Sequence, residues 1–348
     1  MARILYGVHG SQHGHAIRAL TLARRFSQHE FLFVTSEDAA RILSPEHRVE
    51  IFLNPGTRYK NYSLDLWATV KLGAGTLLRR GSELARLGGI IEEFKPDVCL
   101  SDYEYFVPIA AKRAGLPCLS VDHQHVITLC EHDLPASVAF DLHSTSASVK
   151  FLFSACSDYL VISFYHPKLK PAARARLAPP IHREAVFEHQ AKVGEHVLVY
   201  QSCSICEQFA PMLKKLDRPV IVYGYGQDAK DSNLTYKSFS ESGLLSDMAS
   251  CAYVICGGGH TLMSEALYYG KPILSLPVKG AFEQWLNAHY LEKLGYGRHG
   301  DMTSLDISGV RGFEAGLEGF RANLAKTDFR GNEKAFGKVE RFVATGRI

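Results

Sequence analysis

Short apolar blocks alternate with amphipathic stretches along most of this chain. Arg3 to His9 reads as a strand, a loop with Gly10 and Gly14 follows, Ile17, Leu20, Leu22, Ala23 and Phe26 recur at helical spacing, and Phe31 to Thr35 reads as a second strand. A strand, a helix and a strand in that order predict a parallel pair with a right-handed crossover. The theme returns with a strand at Asp97 to Ser101, a helix at Val107 to Ala114 and a strand at Pro117 to Val121. Between these units, residues 55 to 95 carry Trp67, Leu72, Leu77, Leu78 and Leu84 on helical spacings interrupted by Gly73 and Gly75, which predicts helices with a flexible break.

Tyr159 to Ser163 reads as the last strand of this half, after which Pro167, Pro171, Pro179 and Pro180 crowd a basic stretch that suits a domain boundary. Alternation restarts with strands at His196 to Tyr200, Pro219 to Tyr223, Tyr253 to Cys256 and Pro272 to Leu276, and with helices near 206 to 215, 244 to 252 and 262 to 269. The pattern therefore predicts an α/β protein of two doubly wound, parallel-sheet, Rossmann-like domains. We expect a first domain over 1–165, a linker over 166–182 and a second domain over 183–333, with a C-terminal helix at 334–348 packing back on the first. Ligands of such sheets bind beyond the carboxyl ends of the strands, so the loops that follow strands carry the information.

Composition narrows the partners. The 348 residues hold 39 Lys plus Arg against 36 Asp plus Glu, and a net charge of +3 is too small for a dedicated nucleic-acid binder. The apolar runs fall short of a membrane span and the start does not form a signal-peptide core, which makes the cytoplasm the expected location. The 8 cysteines are dispersed, several in strand-like runs, and read as buried thiols. Cys203-Ser204-Ile205-Cys206 has metal-ligand spacing, but no second pair completes four ligands, so no metal site is expected there.

The most informative segment is Ile255-Cys256-Gly257-Gly258-Gly259-His260-Thr261, where a strand breaks into glycines and opens a helix. Backbone N–H groups at a helix start, approachable because glycine lacks a side chain, suit a diphosphate. With Ser264-Glu265-Ala266, Gly270-Lys271-Pro272, Pro277, Glu283-Gln284, Asn287-Ala288 and Leu294-Gly295, this segment resembles the donor half of GT-B nucleotide-sugar glycosyltransferases, the branch of the bacterial peptidoglycan N-acetylglucosaminyltransferase and the UDP-glycosyltransferases. The resemblance is dense over about 240 to 300, and the segment order agrees over nearly the whole chain.

It implies the GT-B fold, with an inter-domain cleft, and an inverting transferase that takes a sugar from a nucleotide diphosphate, by family default UDP, to an acceptor hydroxyl. The implied donor residues are Gly257, Gly258, Gly259, His260 and Thr261 on the diphosphate, Glu265 on the ribose and Glu283 with Gln284 on the sugar. Gly14-His15 matches the Gly-His pair of the family, which makes His15 the implied base, and Asp102 of Leu100-Ser101-Asp102 the carboxylate that orients it. His13, Glu104, His123 and His125 are acceptor-side candidates at the same rim. The loop Gln201 to Cys206 departs from the family's Gly-rich turn. Asp-x-Asp does not occur, so a mechanism without metal or other cofactor is expected.

Three rival readings remain. A nicotinamide dehydrogenase could use Glu37 or Asp38 on a ribose, but Gly7, Gly10 and Gly14 do not form GxGxxG. A nucleotide-sugar 2-epimerase would share the donor pocket and need no acceptor, and a silent sugar-nucleotide sensor would bind without turnover. The acceptor, whether glycan, lipid-linked or small molecule, is not specified. Residues 58 to 90 mix Trp67, Val70, Leu77 and Leu78 with Lys60, Lys71, Arg79, Arg80 and Arg86, a combination compatible with peripheral contact to an anionic membrane.

Overall fold

The computed structural model describes residues 1–11, 13–171, 173–201 and 209–348. The Cys203/Cys206 motif, most of the loop from Gln201 and the start of the helix expected from 206 lie outside the described residues, as do Gln12 and the side chain of Glu37. In chain order the elements of the first half are β1 (Arg3–Val8), α1 (His13–Arg25), β2 (Glu30–Thr35), α2 (Glu37–Leu43), β3 (Arg48–Ile51), β4 (Tyr59–Lys60), β5 (Ser63–Leu64), α3 (Leu66–Phe94), β6 (Val98–Asp102), α4 (Phe106–Ala114), β7 (Cys118–Asp122), α5 (Val126–Leu129), α6 (Ala139–Phe153), β8 (Asp158–Ile162) and β9 (Ala175–Ala178). There follow β10 (Val197–Tyr200), α7 (Phe209–Leu213), β11 (Val220–Tyr223), β12 (Ala229–Asp231), β13 (Leu234–Lys237), α8 (Glu241–Ser250), β14 (Tyr253–Cys256), α9 (His260–Tyr268), β15 (Ile273–Ser275), α10 (Phe282–Lys293), β16 (Gly297–His299), α11 (Ile307–Glu314), α12 (Leu317–Leu324) and α13 (Asn332–Thr345).

The chain divides into two compact units, one of residues 1–58, 66–181 and 331–348, the other of 59–65 and 182–330. The first holds a seven-stranded sheet in the order β3-β2-β1-β6-β7-β8-β9, parallel throughout. One face packs Tyr6, Leu100 and Leu119 against Ala19, Leu22 and Phe26 of α1 and Phe336, Val339 and Phe342 of α13. The other packs Leu5, Val34 and Cys99 against α3 and α4. Strand order reverses between β1 and β6, and their register sets Val8 beside Asp102, so the switch point of this sheet falls where β1 hands over to α1.

The second unit repeats the plan as β12-β13-β11-β10-β14-β15-β16, with β12 antiparallel at one edge. Its reversal lies between β10 and β14, where Tyr200 pairs with Cys256, so the glycine segment leaves the sheet at the switch point.

Three departures from the sequence pattern have physical reasons. Gly73 and Gly75 do not break α3, a single helix of 29 residues. A Cβ at either glycine would meet nothing within 4 Å, while Leu84, Leu87, Ile91 and Phe94 anchor one face at intervals of three and four. Packing of that face outweighs the ~1 kcal/mol that each glycine costs a helix. The proline-rich stretch expected as a linker carries β9, which pairs with β8 and extends the first sheet. Among the described residues no helix is both long and apolar enough to cross a membrane.

The third departure is the hairpin β4–β5, unannounced by any glycine at its turn. Asn61 and Tyr62 both adopt positive φ, 49° and 57°, the geometry of a two-residue type I′ turn that Tyr enters only under strain. The compensation is burial: Tyr62 joins the core of the second unit, its hydroxyl donates to Leu276 O, and the hairpin exchanges backbone hydrogen bonds with Lys279. Tyr62→Phe should cost about 1 kcal/mol through the lost hydroxyl, and Tyr62→Ala about 3–5 kcal/mol through the cavity. Denaturant titrations of the two variants check this; equal losses would contradict it.

Candidate functional site

Two sets of polar residues gather at the sheet switch points, one in each unit. In the first unit β1 ends at Val8, and the chain turns through Gly10, where a Cβ would stand 2.0 Å from Ser36 Oγ. The close turn starts α1 directly over the end of β6. His15, in the first turn of α1, donates Nδ1–H to Oδ1 of Asp102 at 2.7 Å. Arg18, three residues further along the same helix face, donates Nε–H to Oδ2 at 2.7 Å and Nη2–H to Oδ1 at 2.6 Å. Asp102 is fully buried, Arg18 is 4% exposed and His15 6%. Burial opposes the guanidinium charge, but the carboxylate in contact more than restores it and holds the Arg18 pKa up.

With Nδ1–H committed to Asp102, the other ring nitrogen of His15 keeps its lone pair. Gln124 Nε2 stands 3.5 Å from it. The His9 ring lies 5.1 Å from His15, and Tyr103, at φ 52°, stacks parallel to His15 at 6.3 Å and against Phe153 at 3.9 Å. Beneath them Tyr6 is fully buried, and its hydroxyl has no hydrogen-bond partner among the described residues. Burial, then the charge of Asp102, pushes its pKa up.

The next strand end carries a second pair. His125 donates Nδ1–H to Oδ2 of Asp122 at 2.7 Å, its backbone N–H donates to Oδ1 at 2.9 Å, and Ser120 Oγ donates to Oδ2. Burial would favour neutral Asp122, yet His125 in contact and these donors hold its carboxyl well below the usual range.

The remaining acceptor-side candidates are dispersed. His13 is exposed at the first residue of α1. His123 is fully buried, with Nδ1–H donating to Ile162 O at 2.7 Å. Glu104, also fully buried, caps α4, accepting Phe106 N–H at 2.8 Å and Val107 N–H at 2.6 Å.

In the second unit the glycine turn is shaped by α10. A Cβ on Gly258 would lie 2.2 Å from Gln284 O, whereas one on Gly259 would meet nothing. Gln284 Oε1 accepts Gly258 N–H at 3.3 Å and Val278 N–H at 3.1 Å, and Asn287 Nδ2 donates to Gly258 O at 2.9 Å. Both side chains thus brace the turn that leads into His260 and Thr261 at the start of α9, with Glu283 adjoining at 3.5 Å from Asn287 Nδ2. Glu265, on the same helix and 1% exposed, accepts Arg183 Nη2–H on Oε2 at 2.9 Å, while Oε1 has no partner among the described residues. Burial raises the Glu265 pKa against the pull of Arg183. Arg183 is itself buried and also pairs with Glu241 at 3.2 Å.

A profile described as Glycosyl transferase family 1 matches residues 2–317. The chain belongs to glycosyl transferase family 1. An uncharacterized glycosyltransferase of Methanosarcina mazei is 26% identical over 243 residues, 60% of this chain and 61% of the relative, so the match spans about three fifths of that protein. Another from Methanosarcina acetivorans is 24% identical over 324 residues, 85% and 83% of the two chains. Among solved structures, MurG of Acinetobacter baumannii superposes with a TM-score of 0.61 at 14% identity, covering 98% of this chain and 100% of the other. A UDP-glucosyltransferase from Polygonum tinctorium superposes at 0.69 with 12% identity, covering 99% of each. The fold of this family 1 protein is therefore GT-B.

Sequence reading missed Arg18, Arg183, Tyr103 and the bracing by Asn287. The two arginines left one signal each: Arg18 interrupts the apolar face of α1, and Arg183 follows two prolines where a buried acid elsewhere needs a cation.

Glu104 generates a prediction about pH. Burial pushes its carboxyl up to about 7 although the backbone N–H groups favour the ionised form. A folded pKa above the unfolded one means stability that is present below about pH 4.5 and lost as pH rises through 7, on the order of 3 kcal/mol. Glu104→Gln should remove that part of the slope. Unfolding free energies of both proteins at pH 4.5 and 8 check it, and an unchanged slope would count against it.

Proposed function

We propose that this protein transfers a sugar from a nucleotide diphosphate donor, a UDP-sugar first among them, to an acceptor hydroxyl, with inversion and without a metal. The observation that carries the reading is the buried His15–Asp102 pair, which leaves one imidazole nitrogen with its lone pair next to Gln124. That nitrogen takes the acceptor hydroxyl proton as the oxygen attacks the anomeric carbon. The bond from that carbon to the diphosphate breaks on the opposite face, and the departing nucleoside diphosphate keeps the electron pair. Asp102 balances the imidazolium that forms during transfer.

On the donor side, the N–H groups of Gly257, Gly259, His260 and Thr261 and the positive end of α9 suit the charge of the diphosphate, while Gly258 N–H, given to Gln284 Oε1, holds the turn that presents them. Oε1 of Glu265, buried and without a partner among the described residues, suits a ribose hydroxyl. Glu283 and Gln284 follow as neighbours of the sugar. Turnover should fall by about 10² to 10⁴-fold in His15→Ala, and also in Asp102→Asn, with donor affinity within a few-fold, while Glu265→Ala should weaken donor binding by about 1.5 to 3 kcal/mol. Calorimetric titration with UDP-sugars and product analysis under EDTA check this. Near-normal turnover in His15→Ala, or a strict need for Mg²⁺, would overturn it.

The first half of α3 supports an accompanying membrane contact. Trp67 is 86% and Leu78 87% exposed, with Leu66 and Val70 also outward and Lys71, Arg79 and Arg80 alongside. An apolar stripe flanked by cations suits an anionic interface, where a lipid-linked acceptor would be presented. The protein should co-sediment with anionic vesicles at low salt, and Trp67→Glu with Leu78→Glu should release it; equal pelleting of the double variant would end this reading.

A further inference from the structure

The dyad described above has a third member that proton transfer alone does not call for. Asp102 offers two oxygens, and Arg18 grips both while His15 takes one. The guanidinium is not merely a neighbour of the carboxylate: its Nη2 stands 3.3 Å from Nδ1 of His15. A guanidinium has no acceptor and Nδ1 carries the proton given to Asp102, so this is a contact between two donors.

Charge within the cluster follows from that geometry. Arg18 and Asp102 cancel, and a neutral His15 leaves a buried group of net charge zero. A resting proton on His15 would leave one positive charge in excess, beside a guanidinium, in a site shielded from water. Among the described residues the other groups facing the cluster do not supply a compensating anion in contact: Tyr6 and His9 come from β1 and its loop, Tyr103 follows β6 and Gln124 follows β7. Asp122 at the end of β7 is occupied by His125, Ser120 and a backbone N–H. Without Arg18 the sum reverses, because Asp102 would then be left to pair with an imidazolium, and a ring that already holds two protons cannot accept the one from an acceptor.

We propose that Arg18 is a positioning residue that reserves His15 for proton acceptance, by fixing the Asp102 carboxylate with a two-pronged grip and by opposing a second positive charge on the ring. This rests on His15 acting as the base. The device uses only this chain's own groups and adds no chemical step. Arg18 sets the angle of the carboxylate, the carboxylate sets the tautomer and angle of the ring, and the nearby guanidinium charge sets how readily the ring fills.

The test is Arg18→Gln, with Arg18→Met keeping the volume should the first fail to fold, and Arg18→Lys keeping the charge without the fork. Turnover with a UDP-sugar is followed against pH, and the His15 ring is titrated by NMR in the same proteins, its signal assigned by its absence in His15→Ala. In Arg18→Gln or Arg18→Met the acid limb of turnover should move to higher pH by about one unit, with activity recovering at alkaline pH, and the His15 signal should move the same way. Arg18→Lys should keep the wild-type limb and lose part of the plateau through the missing prong. A uniform drop across pH with the His15 titration unmoved would overturn the proposal and leave Arg18 a structural residue. Because the NMR titration reads the ring without any reaction, it separates failure of this inference from failure of the base assignment, which His15→Ala tests by turnover.

Discussion

The buried carboxylate of Asp102 is the constraint on which the first unit is organised. An ion with no exposure must be matched within contact distance, since removing one partner of a buried pair commonly costs ~3–5 kcal/mol. Both matching groups come from one helix, His15 and Arg18, three positions apart and so on one face. Their simultaneous contact with a single carboxylate fixes the rotation of α1 about its axis, and its start is fixed by the turn at Gly10 and by Thr35 Oγ1 donating to Val8 O at 2.7 Å. Register then does the rest: Val8 beside Asp102 puts the charge at the end of the central strands, where the sheet reverses.

The second unit reaches a comparable arrangement by different means. Among the described residues no helix-borne cation faces Glu265; its partner Arg183 arrives from the segment that precedes β10, and Arg183 divides its charge between Glu265 and Glu241. One oxygen of Glu265 is thereby left without a partner among the described residues. The adjoining glycine turn is held from behind, because Gln284 and Asn287 occupy the backbone groups of Gly258 on the α10 side while Gly259 opens outward. Backbone fixed in this way has little freedom left to lose, which is what preorganisation means in physical terms.

How far this could be read from sequence depends on the range of the interaction concerned. Strands of the central sheets, the glycine turn and the pairing of a Gly-His loop with an Asp at a neighbouring strand end are written in local pattern and familiar order. Arg18 and Arg183 were missed for a common reason: each is defined by a partner 84 or 82 residues away, and the local signal that each leaves does not name that partner. The β4–β5 turn was missed because it places Tyr62 where Gly would be expected, a local cost made good only by a contact 214 residues distant. With α3 the error ran the other way: the cost of the glycines that suggest a break is outweighed by the packing of Leu84, Leu87, Ile91 and Phe94 further along the helix.

Three buried acids in the first unit show how environment assigns their work. Glu104 is met by backbone donors but, among the described residues, by no cation, and burial wins, lifting its pKa to about 7 and leaving it a cap. Asp122 is satisfied by an imidazole, a hydroxyl and a backbone N–H, which keep it charged and its histidine oriented. Asp102 alone has a permanent cation in its grip. The two histidine–aspartate pairs are therefore alike in geometry, each imidazole Nδ1 lying 2.7 Å from its carboxylate, and differ in the guanidinium that only Asp102 also holds.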